Sequence, residues 1–173
     1  LSLKANRKRF TGPPHPERDR QFRYIQKQKK RFLRCGLPVV SIDTKNKVLI
    51  GDFRNSGRTW TQTPIEVNAH DFPQDALCKA APYGVYDVGR NHGFVHVGVS
   101  SDTPEFAVES LRHWWLAHGK TYYVDRRELL VLADAGGSNG YRLRHFKKLL
   151  QEKLADEFNL KVTVCHFPSG ASK

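Results

Sequence analysis

The sequence predicts a mixed α/β domain, and three observations carry that prediction. Short apolar runs at Val39–Thr44 and at residues 129–133 have the length of buried strands. Residues 160–166 alternate apolar and polar side chains, as a half-exposed strand does. Residues 102–118 and 140–158 carry apolar side chains every three or four positions, the period of a helix with one buried face. At 173 residues and 39% hydrophobic content, the chain is long enough for one core and too short for two comfortable ones.

Taken in order, residues 1–36 read as a basic helical arm. Arg7, Lys8 and Arg9 precede Gly12, Pro13 and Pro14, and residues 16–34 then form a helix. Its apolar stripe is thin, made of Phe22, Ile25 and Phe32, while Arg23, Lys27, Lys29, Lys30, Arg31 and Arg34 crowd the rest. Such a surface is either simply solvated or in direct contact with a polyanion.

Residues 37–173 read as the α/β domain. Val39–Thr44 is followed by a turn at Lys45, Asn46 and Lys47, and residues 48–51 are expected to return as the hairpin partner. Residues 54–82 contain Pro64, Pro73 and Pro82 with little periodicity, which predicts a long irregular insertion. Two further strands, residues 84–88 and 94–99, are split by a turn at residues 89–93. Asp102, Thr103, Pro104 and Glu105 place capping oxygens before a first-turn proline, and the helix they start is expected to stop at Gly119. On it Val108, Leu111, Trp114, Trp115 and His118 share a face, so the two tryptophans read as core rather than as base-stacking platforms. The run at residues 129–133 is a central strand ending at Asp134, after which a glycine-rich turn leads to the helix of residues 140–158. Phe146, Leu150, Leu154 and Phe158 repeat there every four residues, broadened by Leu143 and Leu149, and Pro168 closes the last strand.

The charge balance narrows the partners. With 29 Lys and Arg against 17 Asp and Glu, a net charge of +12 is the footprint of a polyanion binder, nucleic acid first. An anionic membrane is the competing polyanion, but no apolar stretch or basic amphipathic helix of the membrane type is present, so no membrane partner is expected. Cys35, Cys78 and Cys165 are three singletons without a CxxC pair, which suggests neither zinc knuckle nor disulfide framework and fits a reducing cytoplasm. The chain contains no methionine, starts at Leu1 and stops at Lys173, so a piece of a longer reading frame is expected.

Asp43 and Asp134 each stand at the end of an apolar strand run. In open α/β sheets, ligands collect beyond strand ends, and a carboxylate there is held rigidly yet reaches solvent. If the two strands are neighbours, the carboxylates converge on what Mg2+ requires: one or two protein oxygens, with waters and substrate phosphate completing the shell. Two such ions would serve phosphodiester chemistry. The plainer reading makes both residues ordinary turn formers and caps.

Three segments carry a family resemblance: Val40 to Lys45 (VSIDTK), Tyr86 to Gly93 (YDVGRNHG) and Leu132 to Gly140 (LADAGGSNG). Together with Asn6-Arg7-Lys8, residues 16–25, Arg58-Thr59-Trp60 and residues 166–173, they resemble the ISAzo-type insertion-sequence transposases over most of the chain. The resemblance implies an RNase H-like mixed sheet flanked by helices, and an Asp, Asp, Glu set that binds two divalent metal ions, Mg2+ or Mn2+, for DNA cleavage and strand transfer. Asp43 matches the first acid and Asp134 the second, while the third is expected in a Trp-Asn-x-Ile-Glu-like motif beyond Lys173, so this piece alone is not expected to be competent. Double-stranded DNA, both transposon ends and target, a homo-oligomer on that DNA, and a bacterial cytoplasm near the nucleoid follow from the same resemblance.

Arg7, Lys8, Arg9, Lys27, Lys30, Arg31, Arg58, Trp60 and Asn139 are the candidate DNA contacts. Asn139 belongs to the glycine-rich turn, whose amides either cradle a phosphate or simply connect strand to helix with Asn139 as cap. Asp87, His92 and His166 are accessory candidates, a third acid by spacing and two proton-transfer or phosphate-orienting groups, although histidines without ligand spacing are commonly structural. Two other functions fit the same residues: a non-catalytic DNA-binding remnant of a transposase, and an RNase H-like nuclease of different substrate.

Overall fold

The computed structural model describes residues 16–54, 60–69, 72–99 and 101–168. Helix α1 (Arg18–Arg34) leads into β1 (Val39–Thr44) and β2 (Val48–Ile50). A single 3-10 turn at Pro73–Asp75 precedes β3 (Cys78–Asp87) and β4 (His92–Gly98). Helix α2 (Pro104–Trp114) continues through a wider turn, Trp115–Gly119, into α3 (Lys120–Tyr122). Strand β5 (Glu128–Ala133), α4 (Arg144–Leu150) with its extension Gln151–Asp156, and β6 (Lys161–His166) complete the chain.

The strands form one mixed sheet in the order β4, β3, β1, β5, β6. β3 runs antiparallel to β1 and β4, whereas β1, β5 and β6 are parallel. Both faces of the central strands are covered, which explains why β1 and β5 read as unbroken apolar runs. Val40, Ile42, Leu129, Val131 and Ala133 face α2 and α4, where Trp114, Leu111, Phe146 and Leu154 close the larger core. Val39, Leu130, Leu132 and Cys165 face the other way, against Ile25 and Phe32 of α1. The predicted arm helix is therefore packed on the sheet through the thin stripe read from sequence.

Several expectations are corrected. β1 and β2 do not form a hairpin: β1 pairs with β3 and β5, and β2 pairs with the start of β3. Val40 pairs with Asp87 and Val48 with Ala80, so β2 continues the line of β1 along β3 with a one-residue slip at Lys45 to Lys47. Lys-Asn-Lys lacks the glycine that a tight hairpin turn demands, and a ten-residue β3 offers room for both strands. The irregular insertion ends earlier than residue 82, because β3 begins at Cys78 and includes Pro82. Gly119 does not end its helix. A Cβ there would lie 2.3 Å from Cε3 of Trp115, so glycine answers to the tryptophan packed on it while the helix runs on to Tyr122. Nor does Asn139 cap a helix: α4 starts at Arg144, preceded by Leu143, and Gly137–Asn139 form a separate 3-10 turn. Thr103 does cap α2 as expected, accepting from the Phe106 amide at 3.3 Å.

Candidate active site

The parallel pairing of β1 with β5 decides the site. Val39 lies beside Leu130, Val40 beside Val131 and Ser41 beside Leu132, and the same register carried two residues further sets Asp43 beside Asp134. Neighbouring strands are about 4.8 Å apart and in-register side chains leave the same face, so both carboxylates emerge together at one edge of the sheet. Asp43 is exposed and Asp134 half-buried. Each stands at the point where an apolar run, held from both sides, gives way to solvent.

A further acid that the sequence presented only as a helix start belongs to this edge. The Thr44 hydroxyl donates to Oδ1 of Asp102 at 3.2 Å, tying the start of α2 to the residue after Asp43. Tyr83, paired across the strands with Thr44, is fully buried there. Burial above all, then the carboxylates of Asp102 and Asp43, holds its phenol far above the usual range. Sequence spacing could not place Asp102 here, because the contact spans 58 residues.

The glycine-rich turn after Asp134 is held from the neighbouring strand. His166 pairs with Ala133 at the end of β6, and its Nε2–H donates to the Asn139 carbonyl at 2.8 Å. Gly137 takes a positive φ of 73°, and the Gly140 amide donates to the Gly137 carbonyl at 3.2 Å. His166 is thus a latch that fixes the backbone leaving Asp134. Asn139 has only 7% of its surface exposed, and its Oδ1 lies close to Gly137 within the turn.

The other candidates are dispersed. Asp87 pairs with Val40, three residues from the level of Asp43, which is about 10 Å along a strand. Its carboxylate is buried and accepts from the amides of Gly89 and Arg90 at 3.0 and 3.1 Å and from the Tyr123 hydroxyl at 2.8 Å. His92, paired with Asp87, shares that distant end and packs edge-on against His118 at 5.1 Å between ring centroids. Lys27 and Lys30 are exposed on α1, whereas Arg31 donates to Glu128 at 2.9 Å. Trp60 is fully exposed. Arg7, Lys8, Arg9 and Arg58 lie outside the described residues.

Among the described residues no three His, Cys, Asp or Glu side chains are arranged to hold a metal ion together. Two hard carboxylates without thiol or imidazole nonetheless match Mg2+ or Mn2+, because Mg2+ is commonly held by one or two carboxylates with waters and phosphate. No helix of the described residues is long and apolar enough to cross a membrane.

The mixed sheet of antiparallel and then parallel strands, flanked by helices, is an RNase H-like fold. The chain matches the family profile described as the Rhodopirellula transposase DDE domain over residues 1–173, and it belongs to that family. Among solved structures it is similar to the Mos1 transposase paired-end complex with left transposon end, at 14% identity and a TM-score of 0.54. It is likewise similar to a pre-cleavage Mos1 transpososome, at 12% identity and a TM-score of 0.52. Both likenesses concern the fold and cover 98% of this chain and 48% of the Mos1 chain, so the chain spans about half the length of those proteins. No curated protein matches it.

Proposed function

We propose that this chain forms the core of a DNA transposase in which Asp43 and Asp134 jointly hold divalent metal, Mg2+ or Mn2+, for phosphodiester cleavage and strand transfer. The observation that carries the reading is the β1–β5 register, which brings two acids separated by 91 positions (134 minus 43) to one edge. When bound, a divalent pair would supply a stronger nucleophile at neutral pH and charge to offset that of the reacting phosphate. The protein's part is to keep the two carboxylates at one level, with the Thr44–Asp102 bond bracing one side and the His166 latch the other. Double-stranded DNA is the substrate, drawn by the net charge of +12, and the protein works as an oligomer in the cytoplasm. Trp60 and the basic residues outside the described segments are proposed DNA contacts. Because neither Asp102 nor any other described acid is grouped with Asp43 and Asp134 to hold a metal ion, competence is proposed for the full-length protein.

That no third ligand is grouped with the two acids among the described residues favours a second reading, a DNA-binding remnant without chemistry. The two separate in one experiment, cleavage of labelled transposon-end DNA by the full-length protein. Asp43→Asn and Asp134→Asn should each lower cleavage by more than about 100-fold, the upper range for a group acting only through a metal ligand. Cleavage unchanged in either variant removes that acid from the site. No metal-dependent cleavage by the unmodified protein establishes the remnant.

A further inference from the structure

Helix α1 carries a charge pattern that the sequence alone leaves ambiguous and its packing resolves. Ile25 and Phe32 are buried against the sheet, so the direction opposite them points to solvent. At 3.6 residues per turn, Arg23, Lys27, Lys30 and Arg34 fall within an arc of about 60° centred almost opposite those two. All four are exposed, and none is in an ion pair with a described acid. Arg31 lies off the arc and is engaged by Glu128, with its guanidinium 5.0 Å from the centre of the Phe32 ring. Of the helix's basic residues, the four on the arc form a continuous ridge about 16 Å long, from 11 residues at 1.5 Å each.

The ridge also has a direction. Phe22, one residue before it, packs 6.2 Å from Phe167, which follows β6 at the edge where Asp134 emerges. Arg31, near its other end, reaches Glu128 at the opposite end of β5. The row of cations therefore starts beside the acidic edge and leads away from it across the outer side of α1.

We propose that this ridge is a docking surface for the sugar-phosphate backbone of duplex DNA, running outward from the acids of β1 and β5. The occupant follows from charge complementarity: B-DNA carries about one negative charge per 1.7 Å of axis, so 16 Å of duplex presents roughly nine charges to four cations. Among the described residues that line the shallow trough along the ridge, with Phe22 and Leu33, Gln26 is the one uncharged polar group, so the surface reads phosphate and not base sequence. The proposal rests on the reading that the chain acts on DNA, and it extends that reading to residues that touch neither acid.

The test is the salt dependence of binding by the whole chain to a fluorescently labelled random-sequence duplex, in metal-free buffer with chelator. Each phosphate contact contributes about 0.9 to the slope of log affinity against log salt, so Arg23→Gln, Lys27→Gln, Lys30→Gln and Arg34→Gln together should flatten it by about 3 to 4. A control with equal charge loss elsewhere, Lys47→Gln, Lys79→Gln, Lys147→Gln and Lys161→Gln, should change it by less than about 1. Should the fourfold variant fail to fold, the pairs Arg23→Gln with Lys27→Gln and Lys30→Gln with Arg34→Gln should each remove about 2. An unchanged slope in the ridge variants, or an equal fall in the control, overturns the proposal. So does an equal loss on a single strand of the same sequence, which would make the occupant single-stranded. The measurement is made without metal and reads no cleavage, so a failed ridge stays distinguishable from a failed catalytic assignment.

Discussion

The two ends of the sheet both carry an aspartate on the β1–β3 ladder, and they use it in opposite ways. Asp87 is buried, and two backbone amides and the Tyr123 hydroxyl occupy its oxygens. Burial and then Asp87 itself hold the Tyr123 hydroxyl well above the usual phenol range, which keeps it a donor to that carboxylate. Asp43, three residues along, is exposed, and the register places a second carboxylate beside it. A carboxylate consumed by the fold stabilises a turn, while like charges gathered at a solvent edge repel unless something cationic joins them. On the proposed reading, the contrast separates the acid that builds a turn from the acid that would hold metal more clearly than either residue's local sequence does.

The comparison can be broken most sharply by removing one acid at each end. Asp43→Asn should lower cleavage by the full-length protein more than about 100-fold, yet move unfolding free energy by no more than about 1 kcal/mol, as exposed substitutions do. Asp87→Ala should do the reverse, costing about 3 kcal/mol in urea unfolding because three donors lose their acceptor. If Asp87→Ala melts like the parent chain, the structural assignment is wrong. Gly119→Ala should cost about 1 to 3 kcal/mol by driving a methyl into the Trp115 ring, read as a lower thermal midpoint.

The smallest expected effect concerns pH. On the face of β4 that packs against α2, the His96 Nδ1–H donates to Ser110 Oγ at 2.9 Å, since that hydroxyl already donates to the Phe106 carbonyl at 2.7 Å. His96 Nε2 then accepts from His113 Nδ1–H at 3.2 Å, and Glu109 lies 3.5 Å from the other nitrogen of His113. Burial first, and His113 second, lower the His96 pKa against the opposing pull of Glu109. A lowered histidine pKa means that the unfolded chain takes up the proton first. Its stabilisation is complete above about pH 6.5 and is lost as pH falls through the folded value. His96→Gln should flatten the fall in melting temperature between about pH 7 and pH 5; an unchanged fall would assign the acid sensitivity elsewhere.

Much of the architecture was legible because its signals are local. The capping threonine and proline of α2, the four-residue period of α4 and the apolar run of β5 each specify an element from its own residues. The convergence of Asp43 and Asp134 was expected on the condition that their strands are neighbours, and the β1–β5 pairing meets that condition. What stayed hidden depends on tertiary pairing. The slip that makes β2 extend β1, the Thr44–Asp102 bond and the His166 latch each require knowing which distant strand lies alongside. The role of Gly119 was misread for the same reason, because the ring it accommodates is four residues away on the helix surface, and a glycine after an apolar helix face otherwise signals an end. Asp87 passed as a candidate acid because sequence carries no record of the donors that surround it.

The central claim is that Asp43 and Asp134 hold metal together, and Mn2+ binding to the full-length protein followed by electron paramagnetic resonance tests it most directly. The account predicts that Asp43→Asn and Asp134→Asn each release the same bound ions and that Asp87→Asn releases none. Bound Mn2+ retained undiminished in either of the first two variants would contradict it.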